Sequence, residues 1–268
     1  MLTIIGYLAM ALVGVTLGLI GAGGSILTVP ILVYLFEADA TVATADSMGI
    51  VAVSAAIALV SYWRQGKVNL DSAIKFIPAS MVGVFAARTF ILPRIPDVVL
   101  STPNFVLGKD QVILSSFALL MLAAARAMLK SSSNPTPDLA TNAAATNTKL
   151  LTAKTILTAF MVGVVTGFVG AGGGFLIIPA LVNLLRVPMT TAVGTSLLII
   201  AINTAAGFLS SISQYPPDWI QLGTLTMIST IFAVYSSKFS QRVPQDKLKN
   251  AFGWFIVVVG VFIILKQT

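Results

Sequence analysis

The sequence predicts an all-α polytopic membrane protein made of two five-segment inverted repeats, with about ten transmembrane segments. Three observations predict it: an apolar composition, a gap-free internal duplication, and an uneven distribution of basic residues. The 268 residues are 57% hydrophobic and only 9% charged, whereas a soluble domain carries about 25% charged residues. Lipid rather than water must therefore solvate most of the protein surface.

The apolar runs give the individual segments. A helix needs about 20 apolar residues to cross the hydrocarbon core of a bilayer. Runs of that order lie at 2–20, 44–63, 73–92, 111–129, 153–171, 192–213, 219–237 and 250–265. Two further runs, 25–36 and 175–185, are too short to cross alone, since a helix rises about 1.5 Å per residue. These two runs are predicted to be half-helices.

The two halves of the chain repeat each other. Residues 14–47 align without a gap onto residues 163–196, a shift of 149 residues, and 15 of the 34 positions are identical. The identities include an ordered set of glycines and a proline, which compositional bias does not produce. Between the halves, a stretch rich in Ser, Thr, Asn, Ala and Pro predicts a flexible linker. We predict a first repeat at 1–129, a cytoplasmic linker at 130–151 and a second repeat at 152–268.

The basic residues predict that the second repeat is inverted. With five segments per half, 12 of the 16 Lys and Arg residues fall on one side of the membrane; the minority is Arg88, Arg94, Lys109 and Lys266. With four segments per half the split is even. Cytoplasmic loops carry the excess of Lys and Arg, which favours five segments. We therefore expect a multi-pass protein of a bacterial inner membrane, with both termini outside and the linker in the cytoplasm.

A glycine block precedes each short run. The blocks are Gly21, Ala22, Gly23, Gly24 and Ser25, and Gly170, Ala171, Gly172, Gly173 and Gly174. Consecutive glycines break a helix, and irregular backbone at membrane depth is tolerated where it lines a cavity. Each half-helix would then begin near the midplane with its positive N-terminus directed inward, which suits an anion. Close helix packing is the competing explanation, and we favour it for isolated glycines such as Gly14 and Gly83.

Several hydroxyl and amide side chains are further candidates for the site. Ser47 and Ser196 are equivalent in the repeat, as are Ser54 and Asn203, and Thr195 adds a hydroxyl beside Ser196. Such groups can donate hydrogen bonds to the oxygens of an anion. Each can equally bond a neighbouring helix, and their pairing across the repeat favours the site.

Asp46 is the acidic residue that falls within a long apolar run. An ionisable residue in a membrane segment is a functional candidate, so Asp46 is a candidate proton carrier. It also lies only three residues into its run, and we favour a side chain that faces the outer headgroups.

Other residues are expected at the membrane surface. Arg88 lies four residues before the end of its run, where a long basic side chain can reach the headgroups. Tyr62, Trp63 and Trp219 lie at run ends, as in an interfacial aromatic belt.

The composition excludes several classes of function. The chain has no Cys and no His, so it lacks thiolate ligands, a cysteine nucleophile and the commonest general base. The glycine blocks do not end in the Lys-Ser/Thr of a phosphate-binding loop. We expect no enzyme, no cofactor and no metal site. We also expect no nucleic-acid partner, because the basic residues are scattered singly between apolar runs.

The doubled glycine motif resembles the TauE/SafE family of membrane proteins, the sulfite exporters. The pattern G-x-x-G-A-G-G-[SG]-x5-P occurs at 18–30 and again at 167–179. The resemblance implies a secondary transporter for sulfite, sulfonates, other organosulfur compounds or short carboxylates. Alternating access at a midplane site is the expected mechanism, with a proton or sodium ion as the coupling ion. A passive anion channel is the alternative, and the sequence leaves a homo-oligomer open.

Overall fold

The computed structural model describes residues 2–21, 23–96, 98–102, 105–130, 148–239, 254 and 257–265. Its helices are α1 (Leu2–Ile20), α2 (Gly23–Leu35), α3 (Ala40–Arg64), α4 (Leu70–Ala86), α5 (Lys109–Lys130), α6 (Thr148–Val169), α7 (Gly174–Asn183), α8 (Met189–Ser211) and α9 (Trp219–Phe239). Residues 257–265 are also helical. The predicted all-α polytopic membrane fold is confirmed.

The helix lengths agree with a membrane protein. Four described helical segments are long and apolar enough to cross a bilayer: Ala40–Arg64, Leu70–Arg94, Met189–Ser211 and Trp219–Phe239. The second of these joins α4 to a π-helical turn, Ala87–Ile91, and a 3-10 turn, Leu92–Arg94. At about 1.5 Å per residue, α2 is roughly 20 Å long and α7 roughly 15 Å, so both are half-helices as predicted.

Two boundaries differ from the prediction. Strands β1 (Val98–Thr102) and β2 (Phe105–Gly108) form an antiparallel hairpin between α4 and α5, where we predict no strand. α6 begins at Thr148, inside the predicted linker 130–151, because the apolar pattern of the helix starts only some residues after its first turn. Residues 131–147 of that linker lie outside the described residues.

Contacts between glycines and neighbouring helices give the helix directions. Gly24 of α2 packs against Val13 and Leu17 of α1, and Gly6 packs against Phe36 just beyond α2. α2 therefore runs back along α1 towards the side on which α1 begins. That side also carries the β-hairpin and is called the hairpin side; the other, where α5 ends and α6 begins, is called the linker side.

The two long helices α3 and α8 lie side by side in opposite directions. Gly207, near the end of α8, packs against Met48 near the start of α3. At the other end of the pair, Gly194 of α8 packs against Tyr62 and Lys67. α3 and α8 are equivalent in the repeat, so their antiparallel contact means that the second half is inverted relative to the first.

Two further helix pairs carry the same symmetry. Gly14 of α1 packs against Ser229 of α9, and Gly163 of α6 packs against Ser80 of α4. These contacts are equivalent, because adding 149 to Gly14 and to Ser80 gives Gly163 and Ser229. In both pairs, and at Gly83, the glycine meets a backbone carbonyl oxygen of the neighbouring helix. Small residues permit such close approach in membranes, so close packing is confirmed for Gly14 and Gly83.

Candidate functional site

The first glycine of each block terminates the preceding helix. The N–H of Gly21 donates to the Leu17 carbonyl at 2.8 Å, and that of Gly170 donates to the Thr166 carbonyl at 2.9 Å. Each of these glycines has φ of +75°, a left-handed backbone conformation that residues with a Cβ rarely adopt. A left-handed glycine after the last helical residue is a common way to end a helix. The predicted helix breaks therefore exist in both halves.

The helix-ending glycines pack onto the long helices of the opposite half. A Cβ at Gly21 would lie 2.6 Å from Cγ1 of Val193, and one at Gly170 would lie 2.5 Å from Cβ of Thr44. Thr44 and Val193 are again equivalent positions of α3 and α8. Each break is thus held against the other repeat, the first at the linker-side end of α8 and the second at the hairpin-side end of α3.

Gly24 and Gly173 have a different role in the blocks. Gly24 packs against Val13 and Leu17 of α1, and Gly173 packs against Thr166 of α6. Each glycine allows its half-helix to fold back closely along the preceding helix. For these two members of the predicted site, the described contacts are those of helix packing.

The two blocks meet in the interior of the protein. A Cβ at Gly172 would lie 3.2 Å from Cβ of Ser25, 3.1 Å from Cγ1 of Val51 and 3.2 Å from Cγ2 of Thr204. Val51 lies near the middle of the 25-residue α3, and Ser25 and Thr204 are fully buried. The second break therefore contacts the first turn of α2 at the middle of the α3–α8 pair.

The N-terminus of α7 lies at this meeting point. Its N-cap, Gly173, is left-handed, with φ of 65° and ψ of 8°, and no side chain of the described residues caps the helix there. The first N–H groups of a helix lack carbonyl partners within the helix. They carry roughly half a positive charge. α2 begins at Gly23 rather than after the block, so Gly23, Gly24 and Ser25 form its first turn.

The remaining members of the blocks are placed as follows. Ala171 is buried, Gly174 is the first residue of α7, and Ala22 lies outside the described residues.

Ser47 and Ser196 lie at the two breaks. The Ser47 hydroxyl donates to the Gly170 carbonyl at 2.6 Å and to that of Thr44 at 3.0 Å. The Ser196 hydroxyl donates to the Val193 carbonyl at 2.8 Å, and a Cβ at Gly21 would lie 3.3 Å from it. The two serines occupy equivalent places, and their described bonds are to backbone carbonyls.

Ser54 and Asn203 join neighbouring helices. The Ser54 hydroxyl bonds Ser229 of α9 at 3.2 Å, and the Asn203 amide donates to Ser80 of α4 at 2.9 Å. The two bonds are equivalent in the repeat, since Ser80 and Ser229 are 149 positions apart. This arrangement matches the alternative of a helix–helix bond, and a role for Ser54 and Asn203 in binding a substrate stays a prediction.

The Thr195 side chain contacts the loop between α3 and α4. Its hydroxyl donates to the Thr191 carbonyl at 2.7 Å and accepts the backbone N–H of Asn69 at 2.9 Å. Asn69 is the N-cap of α4, on the linker side. In the described structure Thr195 fastens the loop between α3 and α4 to α8.

Three side chains are more buried than the sequence indicates. Asp46 is only 8% exposed, and its Oδ1 has no hydrogen-bond partner in the described structure, so the prediction that it faces the outer headgroups is wrong. Arg88 is 2% exposed, and the prediction that it reaches the membrane surface is also wrong. Tyr62 is buried, and its hydroxyl donates to the Gly18 carbonyl at 3.0 Å. Trp63 and Trp219 are exposed, as expected.

Sequence comparison places the chain among membrane transporters. A family model described as sulfite exporter TauE/SafE matches residues 6–263. A probable membrane transporter protein of Xylella fastidiosa is 29% identical over 264 residues, covering 96% of this chain and 92% of the relative. The probable membrane transporter protein YunE of Bacillus subtilis is 29% identical over 224 residues, or 79% of each chain.

A further relative also covers nearly the whole chain. A probable membrane transporter protein of Methanocaldococcus jannaschii is 25% identical over 285 residues, covering 99% of this chain and 95% of the relative. No solved structure was found to match the chain.

Proposed function

The chain belongs to the sulfite exporter TauE/SafE family, and from this premise we propose that it is a secondary transporter of a small anion. The substrate classes that we propose are sulfite, a sulfonate or another organosulfur compound, and a short carboxylate. The observation that carries the proposal is the contact of the two glycine breaks, Gly172 against Ser25, beside the uncapped N-terminus of α7. A helix N-terminus is a ready anion-binding element.

The proposed mechanism is alternating access around the α3–α8 pair. The half-helices α2 and α7 lead from the central region to opposite sides, α2 to the hairpin side and α7 to the linker side. Because the repeats are inverted, a movement that opens one side has an equivalent movement that opens the other. The transported anion would then be released to each side in turn.

The energy for transport would come from an ion gradient, with a proton or sodium ion as the coupling ion. Asp46 is the proposed proton carrier, because it is an acidic side chain buried within α3. Acidic residues buried within membrane-spanning helices are typical of proton relays in transporters.

The proposed function is tested by anion binding and exchange. We expect sulfite, thiosulfate, sulfoacetate, taurine or a short carboxylate to raise the unfolding temperature of the purified protein in detergent, and matched cations to leave it unchanged. In proteoliposomes, the stabilising anion should exchange across the membrane with saturable kinetics. A current that does not saturate, without exchange, would instead indicate the passive anion channel.

The orientation is tested by labelling single cysteines in this cysteine-free chain. Gln214, between α8 and α9 on the hairpin side, and Arg64, at the end of α3 on the linker side, are both exposed. With the excess of basic residues in the cytoplasm, Gln214→Cys should react with an impermeant maleimide in intact cells. Arg64→Cys should react only after permeabilisation. The reverse pattern would place the linker outside the cell.

A further inference from the structure

Arg88 is a buried cation within the membrane-spanning part of the protein. It is only 2% exposed and is among the largest fully buried side chains. It lies on the π-helical turn Ala87–Ile91, a rare geometry that often occurs at functional sites. Removing a charge from water costs several kcal/mol unless the charge is paired, so the burial of this guanidinium needs a compensating group.

The described structure supplies only part of that compensation. Nη2 of Arg88 donates to the Thr44 carbonyl at 2.8 Å, and Nη1 donates to the Thr44 hydroxyl at 3.3 Å. Nε is buried and has no hydrogen-bond partner in this part of the chain. Thr44 is neutral, so both described hydrogen bonds of the guanidinium leave its charge unpaired. A buried donor without a partner is costly.

Arg88 also lies close to the second glycine break. Thr44, which it binds, is the residue against which Gly170 packs. One turn further along α3, Ser47 donates to the Gly170 carbonyl. Thr44 therefore contacts both the guanidinium and the backbone that leads into the N-terminus of α7.

The repeat does not duplicate this cation. The position equivalent to Arg88 is Ser237, whose hydroxyl donates to the Val234 carbonyl within its own helix. The position equivalent to Thr44 is Val193. The helices pack in the same way at both breaks although the second half has a serine at this position. Helix packing alone therefore does not explain an arginine at position 88.

We propose that Arg88 binds the acid group of the transported anion, which pairs the buried charge. This inference rests on the proposed function and adds the residue and the ligand class. A guanidinium offers parallel N–H donors that match two oxygens of a carboxylate, sulfite or sulfonate group. Arg88 therefore selects oxyanions over chloride, and it does so at the hairpin-side end of the second break.

The test compares anion binding by the full-length protein and three variants in detergent. Arg88→Gln removes the charge, and Arg88→Lys keeps the charge but loses the paired donors. Arg94→Gln is the matched control, since Arg94 lies on the same helical segment with an exposed side chain. The probes are sodium sulfite, sulfoacetate and acetate, with sodium chloride at equal ionic strength, and the readout is Kd from the shift in unfolding temperature.

We expect Arg88→Gln to raise the Kd of the bound oxyanion at least about 10-fold, the usual effect of losing a charged hydrogen bond. Arg88→Lys should weaken binding less, and Arg94→Gln should leave the Kd unchanged. The unfolding temperature without anion reports any purely structural role of Arg88. If Arg88→Gln does not fold, an Arg88→Lys Kd equal to that of the wild type would overturn the proposal.

The outcomes separate this proposal from the proposed function. Wild-type protein that no tested oxyanion stabilises would overturn both. If an oxyanion stabilises the wild type and binds Arg88→Gln and Arg88→Lys with the same Kd, only the proposed role of Arg88 is overturned. Equal binding of chloride and the oxyanions by the wild type would overturn the ligand class.

Discussion

Replacing Gly172 with leucine should abolish transport while the protein still inserts into the membrane. Gly172 has φ of +65°, and a Cβ there would lie 3.1–3.2 Å from Val51, Ser25 and Thr204. The left-handed conformation costs a leucine about 1 kcal/mol or more, and overpacking of a filled interior adds about 1–3 kcal/mol. The side chain would also occupy the place where the two breaks meet. Gly23 is the equivalent position of the first block, and on that ground we predict loss of transport for Gly23→Leu as well.

Uptake of the stabilising anion into proteoliposomes measures this effect, and the amount of protein in the membrane fraction reports insertion. Gly223→Leu is the matched control: Gly223 is also a glycine of a membrane helix, but no atom of the described residues lies within 4 Å of a Cβ built there. Normal transport by both Gly172→Leu and Gly23→Leu would mean that the blocks serve helix packing only.

Replacing Asp46 with asparagine should eliminate accumulation driven by a pH gradient and preserve exchange of the anion. The amide keeps the size of the side chain but binds no proton, so the coupling step is lost while substrate binding remains. Asp46 is buried at 8% exposure. Asp39, just before the same helix, is exposed and makes no capping hydrogen bond within the described structure, which makes Asp39→Asn the matched control.

The measurement is uptake with and without an imposed pH gradient, next to counterflow at equal pH. We expect Asp46→Asn to reduce the gradient-driven component to the level seen without a gradient. Full gradient-driven accumulation by Asp46→Asn would exclude Asp46 as the proton carrier. A dependence on a sodium gradient instead would identify sodium as the coupling ion.

The glycine and proline pattern carried most of the information about the fold. The break after Ile20 was predictable because left-handed glycine ends a helix, and α1 has the predicted bounds, Leu2–Ile20. The inversion was predictable because an odd number of segments per half reverses the second copy. Extending the same 149-residue shift further would also have identified Ser80 and Ser229, which bind Asn203 and Ser54.

The burial of Arg88 and Tyr62 was not predictable in this way. A position near the end of an apolar run indicates depth along the membrane normal, but not whether the side chain faces lipid or protein. Arg88 is buried beside Thr44 of another helix, which accepts hydrogen bonds from two of its three guanidinium nitrogens. Tyr62 is buried because its hydroxyl reaches the last turn of α1. Both contacts join residues 44 positions apart, and no local pattern encodes them.

The β-hairpin was missed for a different reason. Its strands have five and four residues, and a strand this short depends on its partner rather than on its own pattern. The sequence does carry one signal, the dipeptide Pro103-Asn104 between two apolar stretches, which is typical of a turn.

The central claim is that an anion binds where the two inverted half-helices meet. Selenite, a heavier analogue of sulfite, gives anomalous scattering that locates it in crystals of the protein. We predict an anomalous peak between the two breaks, with selenite oxygens about 3 Å from backbone nitrogens at the start of α7 and Arg88 on its hairpin side. A peak remote from both breaks, or none from crystals of protein that selenite saturates in solution, would contradict the account.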